Sequence, residues 1–348
     1  MSIITQTLKT LTDGKHLTEH KARELFDHIF AHDIGDNEKI QLGAILASIQ
    51  TRIVTPDEIA GFSSSMINNA IKVDYHQNTL DTCGTGGDNS HSINISTASA
   101  LTLSSMGVKV AKHGNRSASS KCGSADILER LGISIDNKAE AAVEQLDKSN
   151  FTFLFARSYH PAMAKLGPVR TAMGIRTVFN ILGPITNPTN PKSQVIGVYD
   201  NKYAKLIAQT LQNRGSKGYI VHSVSGLDEA SIFDDTYVTA FDDTTISEYI
   251  IKPEDFGISD RKLKDIQAGE TIEANYDAIV KLFKGEGDPA HTEAVSLNAA
   301  LGKSAYDGSI AHNGNIEGLK KNYEQIRTHI ESGKVAEFVF DKFGVVFK

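Results

Sequence analysis

The first seventy residues carry apolar side chains at helical spacing. Between residues 17 and 70 they recur three and four positions apart, which places them on one face of an α-helix. Residues 55–58 read Thr-Pro-Asp-Glu, a typical helix start in which threonine caps free N–H groups and proline occupies the first position. We therefore predict a helical N-terminal region whose last helix runs from this cap through Ile67. The apolar positions are Ala22, Leu25, Phe26, Ile29, Phe30, Ile40, Leu42, Ile45, Leu46 and Ile49.

The pattern changes after residue 73. Short apolar or β-branched runs now precede loops rich in glycine and serine, and helical patterns follow, as in α/β proteins. We predict strands at 79–83 and 108–111 and helices at 96–106 and 125–131, the second closed by Gly132. The order of strand, polar loop and helix thus occurs twice in succession, which favours a mostly parallel sheet.

Proline marks the middle of the chain. Five of the eight prolines lie at positions 161, 168, 184, 188 and 191, and we interpret this stretch as a crossover between domains. Beyond it we predict a helix at 203–214, a strand at 219–223, β-ribbons at 237–251 and three C-terminal helices. The predicted fold is a small helical domain (1–72, completed by helices near 170–187) and a larger α/β domain (73–348) with a central sheet. The active site is expected in the cleft between them.

Composition excludes several classes of protein. A net charge of −6 argues against a general nucleic-acid binder, which needs clustered cations to neutralise phosphates. No apolar run reaches the roughly 18 to 20 residues that span a bilayer, and the N-terminus lacks a signal-peptide pattern, so we predict no membrane partner and a cytoplasmic location. Cys83 and Cys122 lack metal-site or disulfide spacing, and we expect both to be small buried residues.

The first candidate for chemistry is a glycine-rich turn after a predicted strand. Residues 81–88 read Asp-Thr-Cys-Gly-Thr-Gly-Gly-Asp, and glycines there let backbone N–H groups approach a polyphosphate. The turn lacks the endings of a Walker loop or a dinucleotide fingerprint, and an ordinary tight turn explains it equally well. Residues 92–97 then begin a predicted helix, whose free N–H groups attract phosphate. Simple capping by Asn94 or Ser96 is the alternative, and it is compatible with ligand binding.

A second polar loop follows the next predicted strand. Residues 112–124 combine two lysines, an arginine, an amide and several hydroxyls, which suit a phosphate or ribose phosphate. A solvated surface loop is the alternative. Two adjacent strand-to-helix loops meet at one sheet edge, where α/β proteins bind ligands, and this favours the functional interpretation.

Two adjacent carboxylates, Asp228 and Glu229, follow the predicted strand at 219–223. Magnesium takes oxygen ligands and commonly uses one or two carboxylates together with substrate phosphates. The alternative is the first turn of a helix, where acidic side chains are stabilising.

Taken in order, the segments GTGGD, NIST, KHGNRSASSKCGSAD, FNILGPITNP and GLDE make the chain resemble the anthranilate phosphoribosyltransferases over essentially its whole length. The resemblance implies transfer of a phosphoribosyl group from magnesium-bound phosphoribosyl pyrophosphate to anthranilate in tryptophan biosynthesis, by a homodimer joined through the helical domain. Asn89 and Ile93 depart from the residues common in relatives. The residues implied to surround phosphoribosyl pyrophosphate are Gly84, Gly87, Asp88, Ser92, Asn94, Ile95, Ser96, Thr97, Lys112, His113, Gly114, Asn115, Arg116, Ser117, Ala118, Ser119, Ser120 and Ser124.

The resemblance also implies a metal site and an anthranilate pocket. Ser96, Asp228 and Glu229 would hold Mg²⁺, and Arg170 would pair with the anthranilate carboxylate through its forked donors. The other residues implied to line the pocket are Gly84, Asn115 and His160. A structural role for His160 remains equally open, and His113 could serve the phosphate loop or the structure. Because the aryl amine is already neutral at pH 7, no general base is assigned.

Two rival functions differ in class. A pyrimidine nucleoside phosphorylase shares the fold and a Lys-His-Gly motif, but Asn115, Arg170 and the paired carboxylates fit magnesium, pyrophosphate and anthranilate better. A transferase-like protein that only binds nucleic acid is disfavoured by the acidic net charge.

Overall fold

The computed structural model describes residues 2–88, 90–116, 122–269 and 271–347, and internal packing divides the chain into two units. Unit 1 combines Met1–Lys72 with Ala156–Pro188, and unit 2 combines Val73–Phe155 with Thr189–Lys348. The predicted fold class, with a small helical part and a larger α/β part that has a mostly parallel sheet, is confirmed.

The N-terminal part of unit 1 is helical, as predicted. Thr55 caps its last helix: the hydroxyl accepts from the Glu58 N–H and the Glu58 carboxylate accepts from the Thr55 N–H, which confirms the predicted start. The first helix was not predicted, because its buried stripe of Ile4, Thr7 and Leu11 includes a polar residue. The helices are α1 (Ile3–Thr12), α2 (Glu19–Ala31), α3 (Asp36–Gln50) and α4 (Pro56–Asn68).

The first half of unit 2 follows the predicted order of strand, loop and helix. The strand predicted at 108–111 begins and ends later, because β2 pairs in parallel with all of β3. Lys112 and His113 therefore lie in a strand and not in the loop after it. The elements are β1 (Leu80–Gly84), α5 (Ile95–Ser105), β2 (Val110–Gly114), α6 (Ser124–Arg130), α7 (Ala139–Ser149) and β3 (Phe151–Phe155).

The proline-rich segment returns to unit 1 as short helices. Phe179 stacks on Phe26 of α2 with ring centroids 5.2 Å apart, and Phe26 stacks on Phe62 of α4 at 4.4 Å, so this segment completes the apolar interior of unit 1. The helices are α8 (Ala156–Tyr159), α9 (Gly167–Met173) and α10 (Phe179–Leu182), with 3₁₀ turns at Pro161–Leu166 and Gly183–Ile185.

The second half of unit 2 completes one seven-stranded sheet of order β3-β2-β1-β4-β5-β6-β7. The five strands β3, β2, β1, β4 and β5 are parallel, and β6 and β7 form the predicted ribbon, which is antiparallel. The elements are β4 (Ser193–Gly197), α11 (Ala204–Gln212), β5 (Lys217–Ser223), β6 (Thr236–Phe241) and β7 (Ile246–Ile251), with 3₁₀ turns at Asn201–Tyr203, Pro253–Phe256 and Leu263–Ile266.

The described residues from 271 to 347 form four helices, so the prediction of three was wrong. Only Ser332 and Gly333 separate the last two, and no proline announces that break. The helices are α12 (Ile272–Phe283), α13 (Pro289–Asp307), α14 (Glu317–Glu331) and α15 (Lys334–Phe343). Cys83 is buried as expected, but Cys122 is only half-buried. Among the described residues, no helix is long and apolar enough to cross a membrane.

Candidate active site

The carboxyl ends of β1 and β4 meet at two glycines that make room for the loop after β5. Gly84 and Gly197 are partners in the parallel register. A Cβ on Gly84 would overlap the Asp228 carboxylate, and one on Gly197 would overlap the Asp228 backbone carbonyl. The absence of side chains at these positions therefore lets the loop with Asp228 rest directly on the sheet edge.

The glycine-rich turn after β1 is fastened to this edge. Gly86 and Gly87 have φ of 70° and 78°, the left-handed region that favours glycine. The Gly86 N–H donates to Asp228 Oδ2 at 2.6 Å, and the Thr85 N–H donates to the Gly197 carbonyl at 2.9 Å. The predicted tight turn is thus present, and it directs a backbone donor to a predicted metal ligand.

The start of α5 lies beside this turn and carries polar side-chain atoms that have no partner among the described residues. Asn94 is the N-cap residue, but its side chain caps no N–H group, so the interpretation of Asn94 as a simple cap was wrong. Among the described residues, buried Asn94 Oδ1 and Thr97 Oγ1 have no hydrogen-bond partner. Ile95 is buried, which leaves mainly its backbone groups for a ligand. The helix start therefore keeps the unpaired polar atoms that a bound ligand would satisfy.

Lys112 lies beneath this region and not in the loop where the sequence placed it. Its side chain is only 2% exposed, and Nζ donates to the Thr82 carbonyl and, at 3.1 Å, to Ser96 Oγ. Burial lowers the pKa of Lys112, and the charges of Asp81 and Glu229 oppose that shift. The ammonium group thus joins β1 to the first turn of α5. Its predicted contact with phosphoribosyl pyrophosphate stays a prediction.

The two carboxylates among the three predicted metal ligands share a region of excess negative charge. Burial, followed by the charge of Asp88, raises the pKa of Asp228 to about 7, although the Gly86 N–H opposes this. Burial and Asp228 likewise raise the pKa of Glu229, partly offset by Lys112. No helix begins at residue 228, so the interpretation of the pair as a helix first turn was wrong.

These residues fit a divalent cation with hard oxygen ligands. A cation would relieve the charge repulsion that, after burial, raises the pKa of both carboxyls, and the Ser96 backbone N–H at the first turn of α5 already donates to Glu229. In the described ranges no group of three or more histidines, cysteines, aspartates or glutamates is arranged to hold a metal. A pair of carboxylates is what Mg²⁺ uses, since it takes one or two protein carboxylates and completes its shell with phosphates and water.

The second predicted loop is described only in part. Asn115 is exposed, and its carbonyl accepts from Ser124 Oγ at 3.1 Å. The Arg116 guanidinium is already held by Asp126 and Glu129, each at 2.7 Å. His113 is buried, and its backbone N–H donates to Asp81 Oδ1. Ser117, Ala118, Ser119 and Ser120 lie outside the described residues.

The remaining predicted positions flank these loops. Asp88 accepts from the Ser90 N–H, and Ser92 forms a bridge with Gln267. Ile93, one of the two departures from relatives, is buried. The other, Asn89, lies outside the described residues. Gly114 ends β2 where a Cβ would crowd Ser124 Oγ and the Phe153 ring.

In unit 1, the predicted anthranilate ligands have contrasting environments. Arg170 is half-buried in α9, its guanidinium lies 5.1 Å from the centroid of the Phe179 ring, and no described carboxylate pairs with it. Burial lowers the pKa of Arg170. His160 is 5% exposed, and burial lowers its pKa to about 4, so its imidazole is neutral at pH 7. A half-buried cation that pairs with no carboxylate in the described part of the chain is the feature that most suggests an anionic ligand.

Comparison with known proteins now decides the family. Residues 76–336 match the α/β domain of a glycosyl transferase family, and residues 5–70 match the helical bundle domain of the same family. An anthranilate phosphoribosyltransferase of Persephonella marina is 39% identical over 340 residues, which cover 97% of each chain. The chain belongs to the anthranilate phosphoribosyltransferase family.

Other members of the anthranilate phosphoribosyltransferase family agree in sequence and fold. The protein of Geobacillus thermodenitrificans is 42% identical over 86% of this chain and 87% of its own. The crystal structure from Thermus thermophilus has a TM-score of 0.87 at 32% identity and covers 97% of this chain and 98% of its own. The Saccharomyces cerevisiae protein, solved in complex with PRPP and Mg, shares the fold with a TM-score of 0.85 at 22% identity, over 98% of both chains.

Some residues at this family site escaped the sequence analysis. Gly197 ends the apolar run of β4, and a glycine directly after such a run was the available signal for close backbone approach. Thr85, whose Oγ1 accepts from the Tyr199 N–H at 3.0 Å, offered no comparable signal because its partner lies on another strand end.

Proposed function

We propose that this protein transfers the 5-phosphoribosyl group of phosphoribosyl pyrophosphate to the amine of anthranilate, giving N-(5-phosphoribosyl)anthranilate and pyrophosphate in tryptophan biosynthesis. One observation carries the proposal. In a chain 39% identical to an anthranilate phosphoribosyltransferase, the glycine turn, the start of α5 and an acidic pair with raised pKa values meet at one sheet edge. That combination of donors and carboxylates suits a polyphosphate bound with a divalent cation.

The polyphosphate would be held mainly by backbone and hydroxyl donors. The turn at Gly84 and Gly87 and the first turn of α5 would face the pyrophosphate, while Asp228, Glu229 and Ser96 would hold Mg²⁺. When bound, the ion supplies positive charge that stabilises the departing pyrophosphate. The yeast relative was solved with PRPP and Mg, which supports the same ligands here.

Anthranilate would be oriented by a fixed cation. The Arg170 guanidinium would pair with the carboxylate in forked geometry, with Asn115 and neutral His160 beside the ring. The amine nitrogen attacks C1 of the ribose as the bond from C1 to the pyrophosphate oxygen breaks, and the bond electrons leave with pyrophosphate. Configuration at C1 inverts, and the new N–H⁺ loses its proton to solvent. Positioning of the two substrates is therefore the main contribution of the residues.

The assembly follows the family resemblance. We propose a cytoplasmic homodimer joined through the helical domain at 1–72, which helices near 170–187 complete, and no nucleic-acid partner. Sedimentation at micromolar concentration would test the dimer, and a monomer would contradict it.

The reaction is tested by the fluorescence of anthranilate. Purified protein, phosphoribosyl pyrophosphate and Mg²⁺ are mixed with anthranilate, and each component is omitted in turn. Fluorescence loss that needs all components is expected. If there is no loss and thymidine or uridine is cleaved by phosphate instead, the protein is a nucleoside phosphorylase. A mobility shift of nucleic acid at physiological salt would favour the binding function.

A further inference from the structure

An asparagine on the central helix α13 contacts the backbone next to the acidic pair. Asn298 is 3% exposed, and its Oδ1 accepts from the Ala230 N–H at 2.9 Å. Its Nδ2 donates to the Ala230 carbonyl at 2.9 Å and to the Ala294 carbonyl at 2.9 Å. One amide side chain therefore satisfies both backbone groups of the residue that directly follows Asp228 and Glu229.

This contact is a second point at which the acidic segment is held, besides the two glycines. Gly84 and Gly197 abut Asp228 so closely that neither position has room for a Cβ. Asn298 holds Ala230, two residues further on, in both hydrogen-bonding directions. The short segment from Asp228 to Ala230 is thus held between the ends of β1 and β4 and the helix α13.

The segment needs such support because its two neighbouring carboxylates tend to move away from each other. Asp228 is only 8% exposed, and two neighbouring carboxylates repel each other when both are ionised, so without a cation the pair gains free energy by moving apart or towards water. A backbone held at both hydrogen-bonding groups resists that movement. Groups that orient metal ligands in this way commonly change metal affinity or activity by about 10- to 100-fold when they are removed.

We propose that Asn298 is a positioning residue that holds the Asp228 and Glu229 carboxylates in the arrangement that binds a divalent cation together with pyrophosphate. The inference rests on the proposed function, because it assigns the metal role to that pair. It adds a residue from a helix that carries no predicted site residue.

The test replaces the amide by an apolar side chain of similar size. Binding of Mn²⁺ with inorganic pyrophosphate to wild-type protein and Asn298→Leu is followed by EPR, with protein-free pyrophosphate as the blank. We expect the variant to bind about 10- to 100-fold more weakly. The Mg²⁺ concentration for half-maximal transfer should rise by a similar factor, and the KM for anthranilate should stay within twofold.

Ser304 offers a matched control on the same helix. It is 1% exposed, its Oγ contacts Tyr219 Oη at 2.7 Å, and it lies six residues from Asn298, about 9 Å along the axis. Ser304→Ala should lower the melting temperature without changing Mn²⁺–pyrophosphate binding. A loss of binding as large as that of Asn298→Leu would show a general packing effect and overturn the proposal.

Two further results decide the matter. If Asn298→Leu does not fold, Asn298→Asp keeps the shape and the acceptor for the Ala230 N–H but loses the amide donors. Its added negative charge would by itself strengthen cation binding, so weaker binding supports the positioning role, and equal or tighter binding overturns it. If wild-type protein transfers no phosphoribosyl group, the proposed function fails, whereas the Mn²⁺–pyrophosphate comparison still tests Asn298.

Discussion

Glu58 in unit 1 and Asp228 in unit 2 are both buried carboxyls, but their partners differ in kind. Burial opposes the ionisation of Glu58, yet a hydrogen bond from Arg52 and the N–H groups of Leu17 and Thr55 outweigh it and lower its pKa. The charge is compensated on every side by the protein itself. Glu58 therefore has the environment of a structural ion pair.

Asp228 has the opposite balance. Burial and then the charge of the neighbouring Asp88 carboxyl raise its pKa to about 7, although backbone N–H groups, among them that of Gly86, oppose the rise. Burial is thus common to both sites and distinguishes neither. Whether the protein itself compensates the buried charge separates a group that stabilises the fold from one that awaits a ligand.

The largest effect should follow from removing the uncompensated charge. Asp228→Asn with Glu229→Gln should lower the transfer rate by about 10³-fold or more, because several kcal/mol of charge stabilisation is lost with the metal site. The melting temperature in the absence of Mg²⁺ should not fall, since two repelling carboxylates are gone. Anthranilate fluorescence and thermal unfolding measure the two effects. Glu248→Gln, at an exposed position of β7, is the control, and a double variant with Mg²⁺-dependent activity would contradict the assignment.

The same substitution at Glu58 should do the reverse. Glu58→Gln should lower the free energy of unfolding by about 3 to 5 kcal/mol, because Arg52, with a side chain only 19% exposed, loses its charged partner. Urea unfolding measures the change, with Glu229→Gln alone as the matched variant that should be neutral or stabilising. Similar losses in both variants would remove the contrast between the two sites.

Arg170 extends the contrast to cations, because Arg52 is paired and Arg170 has no described carboxylate partner. Arg170→Ala should raise the KM for anthranilate by about 10- to 100-fold, because it removes a charge-assisted hydrogen bond that contributes roughly 1.5 to 3 kcal/mol to binding. The KM for phosphoribosyl pyrophosphate should stay within about threefold, with Arg170→Lys intermediate for anthranilate. Steady-state kinetics measure both. Equal weakening of both substrates would contradict the predicted role.

Much of the fold could be predicted because its signals are local. The cap at Thr55, the helical spacing before residue 70 and the repeated order of strand, loop and helix each lie within a few neighbouring residues. The error at the end of β2 arose because distant pairing decides it: the strand end depends on its register with β3. The missed break between α14 and α15 is different, because its signal, the left-handed Gly333, is local.

The candidate site divides in the same way. The glycine turn and the acidic pair are contiguous in sequence and were found there, whereas Gly197 and Asn298 act only through contacts with Asp228 and Ala230. Lys112 shows the limit most clearly. Its residue type suited a phosphate loop, but the strand register turns its ammonium beneath β1.

The smallest expected effect is a difference in how the two acids respond to pH. The lowered pKa of Glu58 gives stability that is present above its ordinary value of 4.5 and is lost as the pH falls through the folded value. For Asp228 the sign reverses. Its folded pKa of about 7 exceeds the ordinary 3.8, so between these two pH values the Asp228 carboxyl keeps its proton in the folded protein but loses it in the unfolded one. The free energy of unfolding therefore falls as the pH rises from 3.8 towards 7.

This reversal can be measured by urea unfolding of wild-type protein and Asp228→Asn from pH 5 to 8 without Mg²⁺. Over that range the wild type should lose up to about 1.4 kcal/mol per pH unit relative to the variant, because one titrating proton gives that slope at most. Saturating Mg²⁺ with pyrophosphate should stabilise the wild type most at the high-pH end, since the ion binds the ionised carboxylate. Parallel pH profiles of the two proteins would mean that Asp228 is already compensated in the folded protein, and the contrast with Glu58 would then fail.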